Sequence, residues 1–289
     1  MTSDKLGILQ EQARVFRELG KHDQLGFVLG AQAELLFSRG QVSQAVQALE
    51  ESESVFRNIN HSFGIEKALF EQVRVLRQGD DKKKFLSALH RQEQYYRDSG
   101  EDEELAECLF NQTLVVHEEG DLRREVELCE QQIPIWERLN NLDRLAFCYG
   151  TSAMSLVRLN EELEKAHRMA CDSERVSRQL GDKSVLARSL NTKAFVLWQM
   201  NQIRESLAAC VSSMKIAKEN KIDLWIENNK LILPPLILGQ IQGLLDMMLQ
   251  QPGEIKSAWR ELEEAASLID NTEVSSAMDK MRPLFSKFG

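Results

Sequence analysis

Residues 16–21, FRELGK, recur about every forty residues and decide the fold. The recurrences are FRNINH at 56–61, YRDSGE at 96–101, WERLNN at 136–141 and, after a one-residue insertion, SRQLGD at 177–182. The fifth residue of each copy is Gly or Asn, the two types that most readily adopt the left-handed conformation at the end of a helix. The pattern therefore predicts a helix C-terminus once in every period.

A second series of these turn residues lies half a period away, at Gly40, Gly79, Gly120, Asn160 and Asn201. Two turn residues in each period divide it into two segments of about twenty residues. Each repeat is therefore predicted to be a pair of helices with a tight turn after each helix.

Aligning the turns reveals apolar columns at spacings of three and four residues, which lie on one face of a helix. The columns of the first helix are Leu29, Leu69, Leu109, Tyr149 and Leu190; Ala33, Val73, Thr113, Ala153 and Ala194; and Leu36, Leu76, Val116, Leu156 and Leu197. Those of the second helix are Leu49, Leu89, Cys129, Met169 and Cys210, then Phe56, Tyr96, Trp136 and Val176. A single helix pair cannot bury the apolar faces of both its helices, so an all-α solenoid of stacked pairs is predicted.

The pattern resembles the tetratricopeptide repeat family across residues 22–220. The small residue of that family's first helix is matched by Ala33, Ala153 and Ala194, and the alanine that opens its second helix by Ala45 alone. The resemblance implies a right-handed superhelical α-solenoid of helix-turn-helix units. Because the usual unit has about 34 residues, the longer period is similar to that of kinesin light chains and of the C-terminal arrays of signalling NTPases.

Three segments are predicted. Residues 1–20 form an N-terminal helix that is either a cap or a partial repeat of a longer protein, because they match a second helix without its first. Residues 21–220 hold five repeats, and residues 221–289 form an irregular helical capping segment, because the register fails after Asn220. A helix that begins near Trp225 is expected to stop or kink at Pro234-Pro235, since proline disfavours a helix interior.

The amino-acid composition limits the classes of binding partner and the cellular compartment that are expected. The formal net charge is −9, with basic and acidic residues mixed, which disfavours nucleic acid because phosphate binding needs a concentrated basic surface. No N-terminal signal sequence is recognisable, and the five cysteines contain no CxxC pair, so a reduced, cytoplasmic location is expected. The uncharged residues 231–245 are too few and too rich in Pro, Gly and Gln for a membrane span.

No motif for catalysis, phosphate binding or metal binding occurs, and the five histidines lack a metal-ligand spacing. Four cysteines lie in core columns and are interpreted as small buried side chains. Cys171, without a neighbouring base in the sequence, receives the same interpretation. The chain is therefore predicted to be a non-enzyme without a cofactor or a metal.

The resemblance also implies a concave groove lined by the first helices. The groove residues that it nominates are Phe70, Arg74, Arg77, Phe110, Leu114, His117, Met154, Arg158, Arg188, Asn191, Phe195 and Trp198. Aromatic and arginine side chains are typical anchors of protein interfaces. The family's clamp for acidic chaperone tails is not reproduced, since only Asn191 fits it.

The leading hypothesis is a scaffold that binds a protein or a peptide in this groove. One alternative is a ligand-sensing array from a larger signalling NTPase or protease. The other is a structural protein that self-associates through residues 225–250.

Overall fold

The computed structural model describes residues 2–79, 81–247 and 252–285. These residues form fourteen α-helices and no strand, which confirms the predicted all-α fold. The helices are α1 (Thr2–Glu18), α2 (His22–Ser38), α3 (Val42–Asn58), α4 (Ser62–Leu76), α5 (Lys82–Ser99), α6 (Asp102–Glu119), α7 (Leu122–Arg138), α8 (Leu142–Leu159), α9 (Leu163–Leu180), α10 (Lys183–Gln199), α11 (Ile203–Glu219), α12 (Asp223–Met247), α13 (Pro252–Ser267) and α14 (Thr272–Phe285).

The helices belong to two compact units. Unit 1 is Met1–Glu119, which contains α1 to α6, and unit 2 is Gly120–Gly289, which contains α7 to α14. Within each unit every helix packs against the next one in the chain. First helices of successive pairs also touch, as α2 and α4 do in unit 1 and as α8, α10 and α12 do in unit 2. This is the stacking expected of tandem helix pairs.

The predicted turn residues adopt the left-handed conformation in all but one case. Their φ angles are 52° to 78° at Gly20, Gly40, Asn60, Gly100, Gly120, Asn140, Asn160, Gly181 and Asn201. Gly79 is the exception, and its prediction as a left-handed cap was wrong. The connection after α4 is longer than the other turns, and the Gly79 amide donates to the carbonyl of Leu76 at 3.0 Å. A longer connection needs no single left-handed residue.

The one-residue insertion of the fourth repeat lies in the turn between α8 and α9. Glu162 takes up the extra residue with φ 45°, and α9 begins at Leu163. The core face of α9 is therefore shifted by one residue, so that Ala166 and Ala170 are buried. Met169, which the alignment placed in a core column, is only half-buried. That assignment was wrong because the alignment placed the insertion too late.

The pattern of turns also extends beyond Asn220. Lys221, forty residues after Gly181, adopts φ 55° and precedes α12, although it is neither Gly nor Asn. Helix α12 continues through Pro234 and Pro235 to Met247, so the expectation that it stops at the prolines was wrong. The proposed division at residues 20 and 220 remains an interpretation of the repeat pattern.

Apart from Met169, the predicted apolar columns are buried. In unit 2 the largest cluster joins α10 and α11 to the three helices that follow them, through residues such as Leu197, Met214, Leu236, Trp259 and Phe285. The side chains of Trp259 and Phe285 stack with their ring centroids 4.8 Å apart. Helices α12 to α14 thus share one core with the last two helices of the predicted array.

A buried polar side chain recurs about every twenty residues along both units. These side chains are Gln32, Ser52, Gln72, Gln92, Gln112, Gln132, Ser152, Ser173 and Ser213, and the half-buried Lys193 occupies the same series. Three of the serines lie on second helices and donate to a backbone carbonyl of the preceding first helix: Ser52 to Gly26, Ser173 to Ala146 and Ser213 to Ala187, at 2.8–3.1 Å. Such bonds require the two helices to pack at one register, because buried polar groups must be paired.

Three of the five first-helix members of this series bind a glutamate of the preceding second helix, whereas Gln32 donates to the carbonyl of Leu9 and the buried Oγ of Ser152 has no hydrogen-bond partner among the described residues. Gln112 donates to Glu93 at 2.7 Å, and Lys193 donates to Glu174 at 2.8 Å. Burial of Glu93 favours its neutral form, but hydrogen bonds from Gln112 and Arg97 outweigh that effect and lower its pKa. The pKa of Glu174 is lowered in the same way. Gln72 repeats the contact with Glu53 at 2.9 Å.

Two glycines of unit 1 make room for one buried ring. The side chain of Phe56, on α3, is 2% exposed and packs against the backbones of α2 and α4. A Cβ at Gly26 would lie 2.5 Å from Cζ of Phe56, and one at Gly64 would overlap the opposite side of the ring. Gly30, one turn further along α2, has open space where its Cβ would lie.

We predict that Gly26→Ala or Gly64→Ala lowers the free energy of unfolding by about 1–3 kcal/mol, because the added methyl group overpacks the ring. Gly30→Ala is the matched control, and it should raise the free energy by up to about 1 kcal/mol through helix propensity. Urea unfolding followed by circular dichroism measures all three. Equal effects of the three substitutions would contradict this packing.

Candidate functional site

In unit 1, the predicted groove residues lie on the outward faces of α4 and α6. The side chain of Phe70 is 54% exposed and that of Leu114 is 37% exposed. His117 is exposed and Phe110 is half-buried. The opposite faces of the same helices carry the buried columns, which include Leu69 and Leu109. These two helices therefore present apolar side chains both to the core and to the solvent.

The two arginines of this face have partners within the chain. Arg74 forms an ion pair with Glu71 at 2.5 Å, and its guanidinium lies over the ring of Phe37 at 5.1 Å. Arg77 donates to the side-chain carbonyl of Asn111 on α6. The sequence presented these arginines as anchors for a partner, whereas in unit 1 both also hold neighbouring side chains in place.

A cavity of about 440 Å³ lies between α4, α5 and α6. Phe70, Glu66 and Tyr96 contribute to its wall, and the first two turns of α6 add further carboxylates, Glu103, Glu104 and Glu107. A second cavity, of about 600 Å³, is lined by Phe110, Leu114 and their neighbours. Both cavities adjoin exposed apolar side chains, so this face offers concave pockets as well as exposed apolar surface.

The carboxylates of the first cavity are crowded. Burial and the negative charges of Glu101 and Glu104 raise the pKa of Glu66. Among the residues that the structure describes, neither Glu66 nor Glu103 nor Glu104 forms an ion pair. Acidic residues at the beginning of a helix such as α6 are by themselves explained by their favourable interaction with the helix dipole. Their juxtaposition with Glu66 depends on tertiary packing.

The sequence interpretation missed Phe63, the most exposed phenylalanine of this face. Its side chain is 62% exposed and lies two turns before Phe70 on α4. Glu66, between these two aromatic residues, was missed as well. A spacing of seven residues places Phe63 and Phe70 on one helical face, so the signal was present in the sequence. It lay outside the positions nominated by the resemblance.

In unit 2, the predicted residues of α8 differ in exposure. Arg158 is exposed and Met154 is half-buried. On α10, Arg188 is half-buried, and this burial lowers the pKa of its guanidinium against the opposing influence of Asp143 and Asp182. Arg188 forms no ion pair with a described residue.

Three other predicted residues of α10 contribute to packing. Asn191 is 6% exposed and its amide donates to Asn229 of α12 at 2.9 Å. This amide therefore joins α10 to α12 and is already engaged, contrary to its expected role in the groove. The rings of Phe195 and Trp198 form an edge contact with centroids 5.7 Å apart and pack against the core of unit 2.

The stretch proposed for self-association lies mainly on α12. Most of its apolar side chains, including Leu233, Leu236 and Leu244, are buried in the core of unit 2. Leu231 remains 76% exposed, and Leu224, just before the stretch, is 63% exposed. The side chains of residues 246–250 lie outside the described residues. Self-association through this segment stays a prediction.

Four of the five cysteines are buried as predicted, and the fifth differs. Burial raises the pKa of Cys108 and of Cys210 to about 12. Cys171 is half-buried, with its sulfur 3.5 Å from Nε2 of His167. The interpretation of Cys171 as a buried residue without a neighbouring base was wrong, because one turn of α9 brings His167 beside it. Within the described residues no group of three or more His, Cys, Asp or Glu side chains is arranged to hold a metal ion.

We predict that Cys171 is the thiol that a maleimide labels in the folded protein. At pH 8 a thiol with a pKa near 12 is ionised to about one part in ten thousand, and its burial blocks access as well. Mass spectrometry should find one maleimide adduct on the native wild type and none on the native Cys171→Ala variant. The wild type unfolded in urea should carry five adducts, one on each cysteine. Labelling of Cys108 or Cys210 at a comparable rate in the native protein would contradict their burial.

No described helix has both the length and the apolar character needed to cross a membrane.

No model of a known protein family and no curated protein matches the sequence. The solved structures that are similar in fold include the following two. The apo form of RapI is 15% identical with a TM-score of 0.57, over 91% of this chain and 99% of RapI. A Signal Transduction ATPase with Numerous Domains from Pyrococcus horikoshii, which has a tetratricopeptide repeat sensor, is 9% identical with a TM-score of 0.51, over 99% of this chain and 48% of that protein.

This chain therefore spans about half of that ATPase. Identities this low establish the fold alone. At that level, the expected resemblance to tetratricopeptide repeat proteins is confirmed.

Proposed function

We propose that this chain is a non-enzymatic scaffold that binds a protein or a peptide on the outward faces of its first helices. The observation that carries the proposal is the exposure of Phe70 and Leu114 at the cavities of unit 1, together with the exposure of Phe63 on the same helix as Phe70. Tandem helical repeats suit this role, because their surface positions can vary while the buried columns stay fixed.

These exposed apolar side chains would supply most of the binding free energy. Burial of one such side chain contributes roughly 1.5–3 kcal/mol, and a few aromatic anchors supply most of the energy of a typical interface. Phe63 and Phe70 lie two helical turns apart, about 10 Å along the axis of α4. A partner that buries both phenylalanines would gain most of the binding free energy that an interface of modest affinity requires.

The non-enzymatic assignment rests on how the potentially reactive side chains are used. Arg74 and Arg77 hold neighbouring side chains, and four of the thiols lie within the core. Glu93 and Glu174 are engaged in hydrogen bonds between helices. Unit 2 would contribute polar contacts through Arg158 and Arg188 and an apolar contact through Met154 of α8.

The test compares proteins captured from an extract of the native host by three tagged forms of the full chain. Phe70→Ser/Leu114→Ser removes the proposed apolar contacts. Ile8→Ser/Leu139→Ser is the matched control, because those side chains are 51% and 42% exposed and belong to α1 and to the C-terminal end of α7, neither of which is a first helix.

We expect mass spectrometry to identify at least one protein that both the wild type and the control capture and that the Phe70/Leu114 variant captures at least about tenfold less. Circular dichroism must show that all three forms are folded. If every protein captured by the wild type is captured equally by the Phe70/Leu114 variant, the assignment of this face is wrong.

A further inference from the structure

The outward face of α4 is an aromatic surface interrupted by one carboxylate. Phe63 and Phe70 are both more than half exposed, and Glu66 lies between them on the same side of the helix. Aromatic side chains at a helical surface attract apolar or cationic groups, because the ring face is negative. This surface adjoins the 440 Å³ cavity, to which Phe70 and Glu66 both contribute.

The wall opposite α4 is acidic. Helix α6 contributes Glu103, Glu104 and Glu107, so this cavity is lined by four glutamates and two arginines, Arg74 and Arg77. Arg74 is neutralised by Glu71, which lies outside the lining, and Arg77 donates to a neutral amide. Glu66, Glu103 and Glu104 have no such compensation among the described residues. The uncompensated charge of the groove is therefore negative.

The nearby lysine does not supply this compensation. Lys67 points toward the other neighbour of α4, where its ammonium lies 5.9 Å from the ring centroid of Phe27 on α2. Burial is the main cause that raises the pKa of Glu66, and the neighbouring carboxylates of Glu101 and Glu104, whose charge a bound cation would offset, raise it further. Like charges that approach one another in a partly buried place favour an oppositely charged ligand.

We propose that the groove between α4 and α6 binds a peptide segment in which lysine or arginine stands next to large apolar residues. The apolar residues cover Phe63 and Phe70, and the cationic side chain enters the cavity beside Glu66, Glu103 and Glu104. This inference rests on the proposed function and specifies the chemistry of its partner.

The probe is a library of random twelve-residue peptides displayed on phage and selected against the full chain at low salt. We expect the enriched peptides to be basic, with lysine or arginine beside aromatic or aliphatic residues. Synthetic copies labelled with fluorescein then give dissociation constants by anisotropy. Their affinity should fall as salt rises, because the contact is partly electrostatic.

Two triple variants with equal changes of charge test the carboxylates. Glu66→Gln/Glu103→Gln/Glu104→Gln neutralises the groove, while Glu164→Gln/Glu219→Gln/Glu273→Gln removes the same charge from exposed positions elsewhere. We expect the first variant to bind the selected peptides about tenfold or more weakly and the second to bind within about twofold of the wild type. Phe63→Ala/Phe70→Ala should also weaken binding, and thermal unfolding confirms that each variant is folded.

Three outcomes would overturn the inference: enrichment of peptides without basic residues, enrichment of no peptide, or equal binding by the two triple variants. The capture experiment with Phe70 and Leu114 separates the two levels of the proposal. If capture depends on Phe70 while the selected peptides lack basic residues, the scaffold function stands and the partner chemistry assigned here is wrong.

Discussion

The constraint on which the rest of this structure depends is the set of hydrogen bonds that buried polar side chains such as Ser52, Gln112 and Ser213 make to a neighbouring helix. Apolar columns alone would allow neighbouring helices to slide, because hydrophobic contact is not directional. The hydrogen bond from Ser52 to the carbonyl of Gly26, or from Gln112 to Glu93, forms at one alignment of the two helices. A slip would leave these buried groups unpaired, which costs about 1–3 kcal/mol for each group.

The same alignment produces the candidate site. When Leu69 of α4 faces the core, Phe63 and Phe70 must face outward, and the half-buried Glu66 lies at the border between the two faces. The fixed position of α6 then brings its first-turn glutamates opposite Glu66. Neither an exposed phenylalanine nor an acidic helix terminus is informative alone. Their combination across two helices gives the groove its apolar and anionic character.

Much of the fold was predictable because its signals are local. The left-handed turn residues mark the helix ends, and the spacing of Leu29, Ala33 and Leu36 identifies a buried face directly. Errors arose where one residue type was used as the marker. Lys221 occupies a left-handed position although it is neither Gly nor Asn, and the insertion at Glu162 moved the core from Met169 to Ala170. The series of Gln and Ser was visible at its fixed distance before each turn, but its role follows only from the contacts.

The site was less predictable because its properties depend on pairs of residues distant in sequence. The position of Arg74 within its repeat placed it on the first helix, where the structure has it. Its ion pair with Glu71 and its position over the ring of Phe37 show that its guanidinium is already engaged within the chain. Asn191 matched a family position, yet its amide is bound to a residue of α12. The resemblance thus nominated a face of the first helices, and only the packing distinguished its exposed side chains from those already engaged within the chain.

A double-mutant cycle between Glu93 and Gln112 tests the central claim most directly. Unfolding by urea of Glu93→Leu, Gln112→Leu and the double variant gives the coupling free energy between the two helices. We predict a favourable coupling of about 1 kcal/mol or more, because Glu93→Leu leaves the buried Gln112 amide without its acceptor, Gln112→Leu leaves Oε2 of Glu93 without its donor, and the double variant leaves neither. The bond from Arg97 to Oε1 of Glu93 is lost both in Glu93→Leu and in the double variant, so it cancels from the coupling. Effects that add to within about 0.3 kcal/mol would contradict the claim that these polar contacts fix the register.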